Sequence, residues 1–261
     1  MPLFVDKMVE RLSARLHARS AVVLSTLEQR LPVVVLAWGL LVTLASLVRI
    51  ALSPSHLGQE PGLAPYMLLT LAPLASFGLA MRWFAGGATM PQPSFRLARI
   101  GRWRNLSPAE AAAQPLYGTS GIMVSLLIGM LLNVPVRTAE YLVTMPAITA
   151  GAPAWLATLH LAMTVDVVVM NCLYVVAFVM ALCRVPSFPR FLLLVWMVDI
   201  LSQTLIAQTS MVVGLPSAVA GSLHGLLDGN VKKVLISMSI WLPYLILSTR
   251  VNLTYRNRLP A

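Results

Sequence analysis

Six stretches of apolar residues recur along the chain, at 31–52, 65–84, 117–136, 155–182, 191–213 and 234–249, and basic residues are sorted unevenly among the segments between them. A hydrocarbon core about 30 Å thick takes about 20 apolar residues of α-helix, so each stretch predicts one crossing. Of the 19 Lys and Arg, fifteen fall before the first stretch, from Arg82 at the end of the second to the third, between the fourth and fifth, or after the sixth. Arg49, Arg137, Lys232 and Lys233 fall on the other side. Cytoplasmic loops carry such an excess, and removing one crossing would scramble the alternation. The sequence therefore predicts an all-α polytopic membrane bundle of six transmembrane helices, with both termini cytoplasmic and short interfacial helices. Composition agrees: 58% apolar and 11% charged residues exclude a soluble globule, which holds about 25% charged residues, and exclude disorder.

Four segments follow from this frame. Residues 1–30 place Val5, Met8, Val9, Leu12 and Leu16 on one helical face, with Lys7, Arg11 and Arg15 elsewhere, as in a basic amphipathic helix lying in the inner-leaflet interface. Residues 31–84 hold two crossings. Residues 85–116 form a basic connector in which Phe95, Ile100 and Trp103 interleave with arginines. Because both ends of that connector enter the membrane, anionic headgroups rather than nucleic acid are its expected partner. Within it, Ser107-Pro108-Ala109-Glu110 has the pattern of a helix start and predicts a short helix ending before Pro115. Residues 117–257 hold the last four crossings. The outer connectors, 137–154 and 216–227, are too apolar for free loops and read as interfacial caps.

Inside the bundle, Asp166 in the fourth crossing and Asp199 in the fifth are the residues that demand explanation. An Asp at mid-helix costs about 2.5–3.5 kcal/mol on insertion scales, so each needs a partner, a proton or water. Asp199, Ser202, Gln203 and Ser210 share one face of the fifth crossing. In the fourth, His160, Thr164 and Asn171 share a face while Asp166 points about 140° away from Asn171. Two polar faces place that helix at the centre of the bundle. The tight turn near 185–189 makes these two helices antiparallel neighbours, with Asn171 at the depth of Asp199 and Asp166 level with Gln203 and Thr204. Arg49 and Arg137 fall at or beyond outer helix ends, so no basic side chain is expected beside the acids.

The C-terminal run from Pro243-Tyr244 through Ser248, Arg250-Val251 and Thr254-Tyr255 resembles the closing signature of the bacterial domain-of-unknown-function family 2569. Phe188-Pro189-Arg190-Phe191 is a second point of similarity. The resemblance covers about residues 117–257 and implies a four-helix inner-membrane bundle, with no activity attached. Where that family opens with Gly-Gly-Trp, this chain has Tyr117-Gly118-Thr119-Ser120-Gly121. Read from the residues alone, Pro243, Tyr244, Ser248, Arg250 and Thr254 make a membrane-exit anchor, with Arg250 reaching phosphates.

Two functions compete. Asp166, Asp199, Asn171 and Gln203 suit either hydrogen-bonded cross-links or a proton site. Without a charged partner the acids favour the first, and the expected function is a non-enzymatic accessory, scaffold or interaction subunit, assembled as a homo-oligomer or with a membrane-protein partner. The alternative is a small proton-coupled carrier or channel using Asp166 and Asp199. No catalytic residues, cofactor or metal site are expected. His17, His56, His160 and His224 are scattered, and Cys172 and Cys183 lie eleven residues apart, about 16 Å along a helix.

Overall fold

The computed structural model of the chain describes residues 2–53, 62–94 and 101–261, with side chains from Ser20 onward. Its helices are α1 (Pro2–Ala51), α2 (Ala64–Trp83), α3 (Pro108–Ala112), α4 (Met123–Thr144), α5 (Ala154–Leu182), α6 (Phe188–Val213), α7 (Ser217–Leu247) and α8 (Thr249–Arg256). Strands β1 (Trp103–Asn105) and β2 (Arg258–Pro260) pair antiparallel, with Arg104 opposite Leu259. Six helices, α1 from Ser20 onward, α2 and α4–α7, are long and apolar enough to cross a bilayer, so this is a multi-pass membrane protein. Exposed Leu36, Leu40, Leu44, Leu68 and Leu71 on α1 and α2 are of the kind that lipid covers. An even number of crossings brings both termini to one side, called here the terminal face.

Helix α5 is the centre, as its two polar faces required: it packs against α2, α4 and α6. The α5–α6 turn is tight because Arg184 takes a left-handed conformation (φ 57°) and the Val185 amide donates to the Met180 carbonyl at 2.9 Å. The connector is tucked under this turn at Gly87, where a Cβ would stand 2.5 Å from the Cys183 carbonyl oxygen and 2.7 Å from Val185 Cγ2. Only glycine fits there. At the far end of α6, Gly214 (φ 68°) ends the helix, and α7 restarts directly after Pro216.

Four boundaries differ from the sequence reading, each for a physical reason. The third crossing is displaced outward. Positive φ at Gly118 and Gly121 keeps 117–122 in turns, and α4 then continues through Pro135 to Thr144. Proline removes one helical hydrogen bond, but burial of Val134, Thr138, Tyr141 and Leu142 on either side holds the helix together. The first part of the expected outer cap at 137–154 is thus the end of α4, and the rest is the turn into α5. Likewise 216–227 is no separate cap, because burial of Leu223 and Leu227 makes it the first turns of α7. Finally, α1 is one unbroken helix from Pro2, so residues 3–29 are continuous with the first crossing instead of forming a separate helix. The side-chain faces assigned to Val5–Leu16, and Phe95, Arg96, Arg99 and Ile100 of the connector, lie outside the described residues. The predicted helix after Ser107 is present as α3, with the reciprocal Ser107–Glu110 cap formed.

The terminal face is closed by a clasp that corrects the membrane-exit reading. Ser248 ends α7 and caps α8 by accepting from the Val251 amide. Every residue from Arg250 to Arg256 is then buried. Arg250 does not reach outward; its Nη1 donates to Ser120 Oγ at 2.8 Å. Thr254 Oγ1 accepts from the Gly118 amide at 2.9 Å, and Tyr255 donates to the Ala181 carbonyl at 2.8 Å. Asn252 Oδ1 accepts from both Arg256 Nη1 and Arg258 Nε, at 2.9 and 2.8 Å. Trp103, assigned to headgroups from sequence, has the Arg258 guanidinium 4.8 Å from its ring centroid.

Candidate functional site

The polar faces of α5 organise the bundle interior into two levels. Nearer the opposite face, Tyr141 on α4 bonds Thr164 Oγ1 at 2.7 Å and His160 Nε2 at 3.2 Å. One turn deeper, Asn171 donates to Thr138 at 2.8 Å, while its Oδ1 is buried with no hydrogen-bond partner. The face read from sequence as His160, Thr164 and Asn171 is therefore the face α5 turns to α4.

The other face meets the residue that sequence reasoning misplaced. Arg137 lies inside α4, its side chain 11% exposed, and divides its guanidinium between the two acids. Nη2 stands 2.6 Å from Asp199 Oδ1 and Nη1 stands 3.3 Å from Asp166 Oδ2. The acids lack no charged partner: they share one. Tyr174 donates to Asp199 Oδ2 at 3.0 Å, and Ser202 and Gln203 donate to Asp166 Oδ1 at 2.5 and 3.2 Å. Asn230 on α7 completes the chain by donating to Gln203 Oε1 at 3.2 Å. Asp166 and Gln203 meet, as their depths required. Asn171 bonds Thr138 instead of Asp199, and Thr204 turns outward to the Ile200 carbonyl.

Arg137 was legible in part. The run Tyr141-Leu142-Val143 after it is too apolar for a loop, and that same observation extends α4 past Pro135. Treating Pro135 as the end of the span put Arg137 outside. Beyond this cluster, Lys233 on α7 forms an ion pair with Glu140 on α4, the only contact of its kind joining those two helices among the described residues.

Below that ion pair a cleft of about 290 Å³ opens between α4 and α7. Arg137, Asp199, Tyr174 and Asn230 line it on one side, and Leu126, Met130, Leu192, Trp196 and Trp241 supply its apolar walls. At 1.5 Å per residue from the terminal face, Asp199 lies about 16 Å deep, Arg137 about 21 Å, and Trp241 about 9 Å. The triad thus sits near the middle of the membrane-spanning helices, and the cleft runs past it. With all groups ionised, one guanidinium faces two carboxylates, so the triad carries a net charge of minus one in a place where uncompensated charge is expensive. No group of three or more potential metal ligands occurs among the described residues. No family model, curated protein or solved structure matches the chain.

Proposed function

We propose that this multi-pass membrane protein is a small proton-coupled carrier, with Arg137, Asp166 and Asp199 as its proton-exchanging station and the α4–α7 cleft as its passage. One observation carries the reading: the buried triad is one positive charge short of neutrality and borders an open cleft. A single proton neutralises it, and Ser202, Gln203 and Tyr174 hold the carboxylates in place whichever of them carries that proton. Asp166 and Asp199 are the stations, and Gln203 with Asn230 extends the polar path to α7. Asn171, buried against Thr138, belongs to the frame. The accessory or scaffold reading drew its weight from acids without a charged partner and from interfacial helices expected on both faces; Arg137 supplies the partner, and the outer segment 216–227 belongs to α7.

The basic connectors support an orientation with both termini in the cytoplasm, where exposed Arg102 and Arg104 face anionic headgroups; a bacterial inner membrane enters with the family resemblance alone. The resemblance to domain-of-unknown-function family 2569 enters as part of this proposal. Its support is that Ser248, Arg250 and Thr254 of the signature each make a bond that holds α8 under the bundle.

The test is proton binding itself. In lipid, infrared difference spectra on acidification from about pH 8 to about pH 5 should show a protonated-carboxyl C=O band worth one proton per chain. That band should vanish when Asp166→Asn and Asp199→Asn are combined, and potential-driven proton movement in proteoliposomes should vanish with it. Two carboxylates that stay ionised throughout, with no proton movement, would return the protein to the scaffold reading. Stoichiometric co-purification of a membrane partner would be that reading's positive sign.

A further inference from the structure

The cleft has a definite chemical character, and from it we infer what the passage accepts: an amphipathic organic cation, its charged head beside Asp199 and its apolar tail along the α4–α7 walls. The inference rests on the carrier reading for the passage, and goes beyond it by fixing the sign and shape of the ligand.

Three observations converge. The first is charge. Each cation on the cleft is already committed to a carboxylate, Lys233 to Glu140 and Arg137 to both Asp166 and Asp199. An entering anion would add to an existing surplus of negative charge, whereas an entering cation cancels it. The second is aromatic lining. Tyr174, Trp196 and Trp241 all border the cavity, and Trp196 lies one turn below Asp199 on the same face of α6. Indole faces attract ammonium groups, and more strongly away from water. The third is polarity along the cleft. Its charged residues gather toward the opposite face, and Leu126, Met130 and Leu192 extend toward the terminal face. That graded wall suits a molecule with one polar end and one apolar end. The Lys233–Glu140 pair spans the mouth, and its Lys233 side chain is 60% exposed. A ligand head passing there exchanges one ion pair for another.

A proton and the organic cation neutralise the same surplus charge, so they compete. The experiment uses the full chain in lipid nanodiscs, with decyltrimethylammonium and decyl sulfate as probes of equal tail and opposite head, and empty nanodiscs subtracted for partitioning. Calorimetry should show saturable one-to-one binding of the ammonium probe and none of the sulfate. Its affinity should weaken as pH falls. Asp199→Asn should weaken it about 30-fold or more, the range for losing a buried charge partner. Since Asp199→Asn strains the triad, Trp241→Leu provides a second variant on a half-buried wall, expected to weaken binding about threefold or more. Equal binding of the two probes, preference for the sulfate, or no saturable binding overturns the inference. The two readings separate cleanly. Proton uptake that depends on the acids, with no saturable probe binding, retires the ligand and keeps the carrier. Saturable ammonium binding without proton uptake keeps the ligand and retires the coupling.

Discussion

The protein buries arginine in two places and satisfies it in two different ways. In the membrane centre, Arg137 is answered by carboxylates. In the clasp at the terminal face, Arg256 is answered by the Leu245 carbonyl and the Asn252 amide oxygen, and Arg250 by a serine hydroxyl. Neutral acceptors hold a guanidinium by geometry and cannot change charge, so the clasp is a fixed joint. Burial, and the neighbouring Arg258 and Arg190, also lower the proton affinity of Arg256, as expected where like charges crowd. Carboxylates hold a guanidinium by charge and can release it when a proton arrives. The difference separates a structural use of buried arginine from one that is able to switch.

The comparison breaks most readily at Arg137. Arg137→Leu leaves Asp166 and Asp199 facing each other without a cation, and breaking a buried ion pair from one side costs about 3–5 kcal/mol. Unfolding in mixed micelles should show a loss of that size, and adding Asp166→Asn and Asp199→Asn should restore more than half of it. A loss below about 1 kcal/mol would mean that water reaches the triad freely, and the contrast with the clasp would disappear.

The second step concerns the clasp. Asn252→Ala removes the acceptor shared by Arg256 and Arg258, together with its own donations to the Ile246 and Ser248 carbonyls at 2.8 and 2.9 Å. Hydrogen bonds to charged groups are worth about 1.5–3 kcal/mol, and the partners here keep other bonds, so a loss of about 2–3 kcal/mol is expected in the same unfolding assay. Between about pH 5 and pH 8 that loss should stay constant, because the two guanidiniums and two carbonyls bonded to Asn252 do not titrate there. Across the same range the cost of Arg137→Leu should shrink toward low pH, as protonation relieves the stranded acids. Parallel pH dependence in the two variants would erase the distinction between them.

What the sequence showed of all this follows from the range of the forces involved. Helix count and the central place of α5 are properties of single segments: the apolar runs gave the first, and the positions of Asp166, His160 and Thr164 around one helix gave the second. Adjacency of Asp166 and Gln203 followed from one tight turn. Arg137 depended on where a helix stops, which Pro135 obscured and the burial of Thr138 and Tyr141 decides. The clasp was beyond reach for another reason. Arg250 and Ser120 are 130 residues apart, as are the segments that form β1 and β2 on a similar scale, and no local periodicity marks such pairs. An exposed anchor and a buried joint use the same residue types, Tyr, Ser, Arg and Thr, and only packing tells them apart.

The smallest effect lies where local sequence was sufficient, and it calibrates the other two. Ser107 donates to Glu110 Oε2 through its backbone N–H at 2.8 Å and its hydroxyl at 2.9 Å, and accepts from the Glu110 amide at 3.3 Å. The backbone bond first, then the hydroxyl, holds the Glu110 carboxyl below its ordinary value of 4.5. A carboxyl whose folded value is depressed stabilises the fold above its unfolded value and loses that contribution as pH falls through the folded one. Protection of the α3 amides against hydrogen exchange, taken relative to the intrinsic rate at each pH, should therefore fall below about pH 4.5 in the wild type, and Glu110→Gln should remove that pH step. Because Glu110 is fully exposed, the effect should stay within α3, leaving protection in the β1–β2 ribbon unchanged. If acidification loosened the ribbon too, and did so even with Glu110→Gln, the clasp would contain a titrating group after all, and its contrast with the Arg137 triad would have to be redrawn around that group.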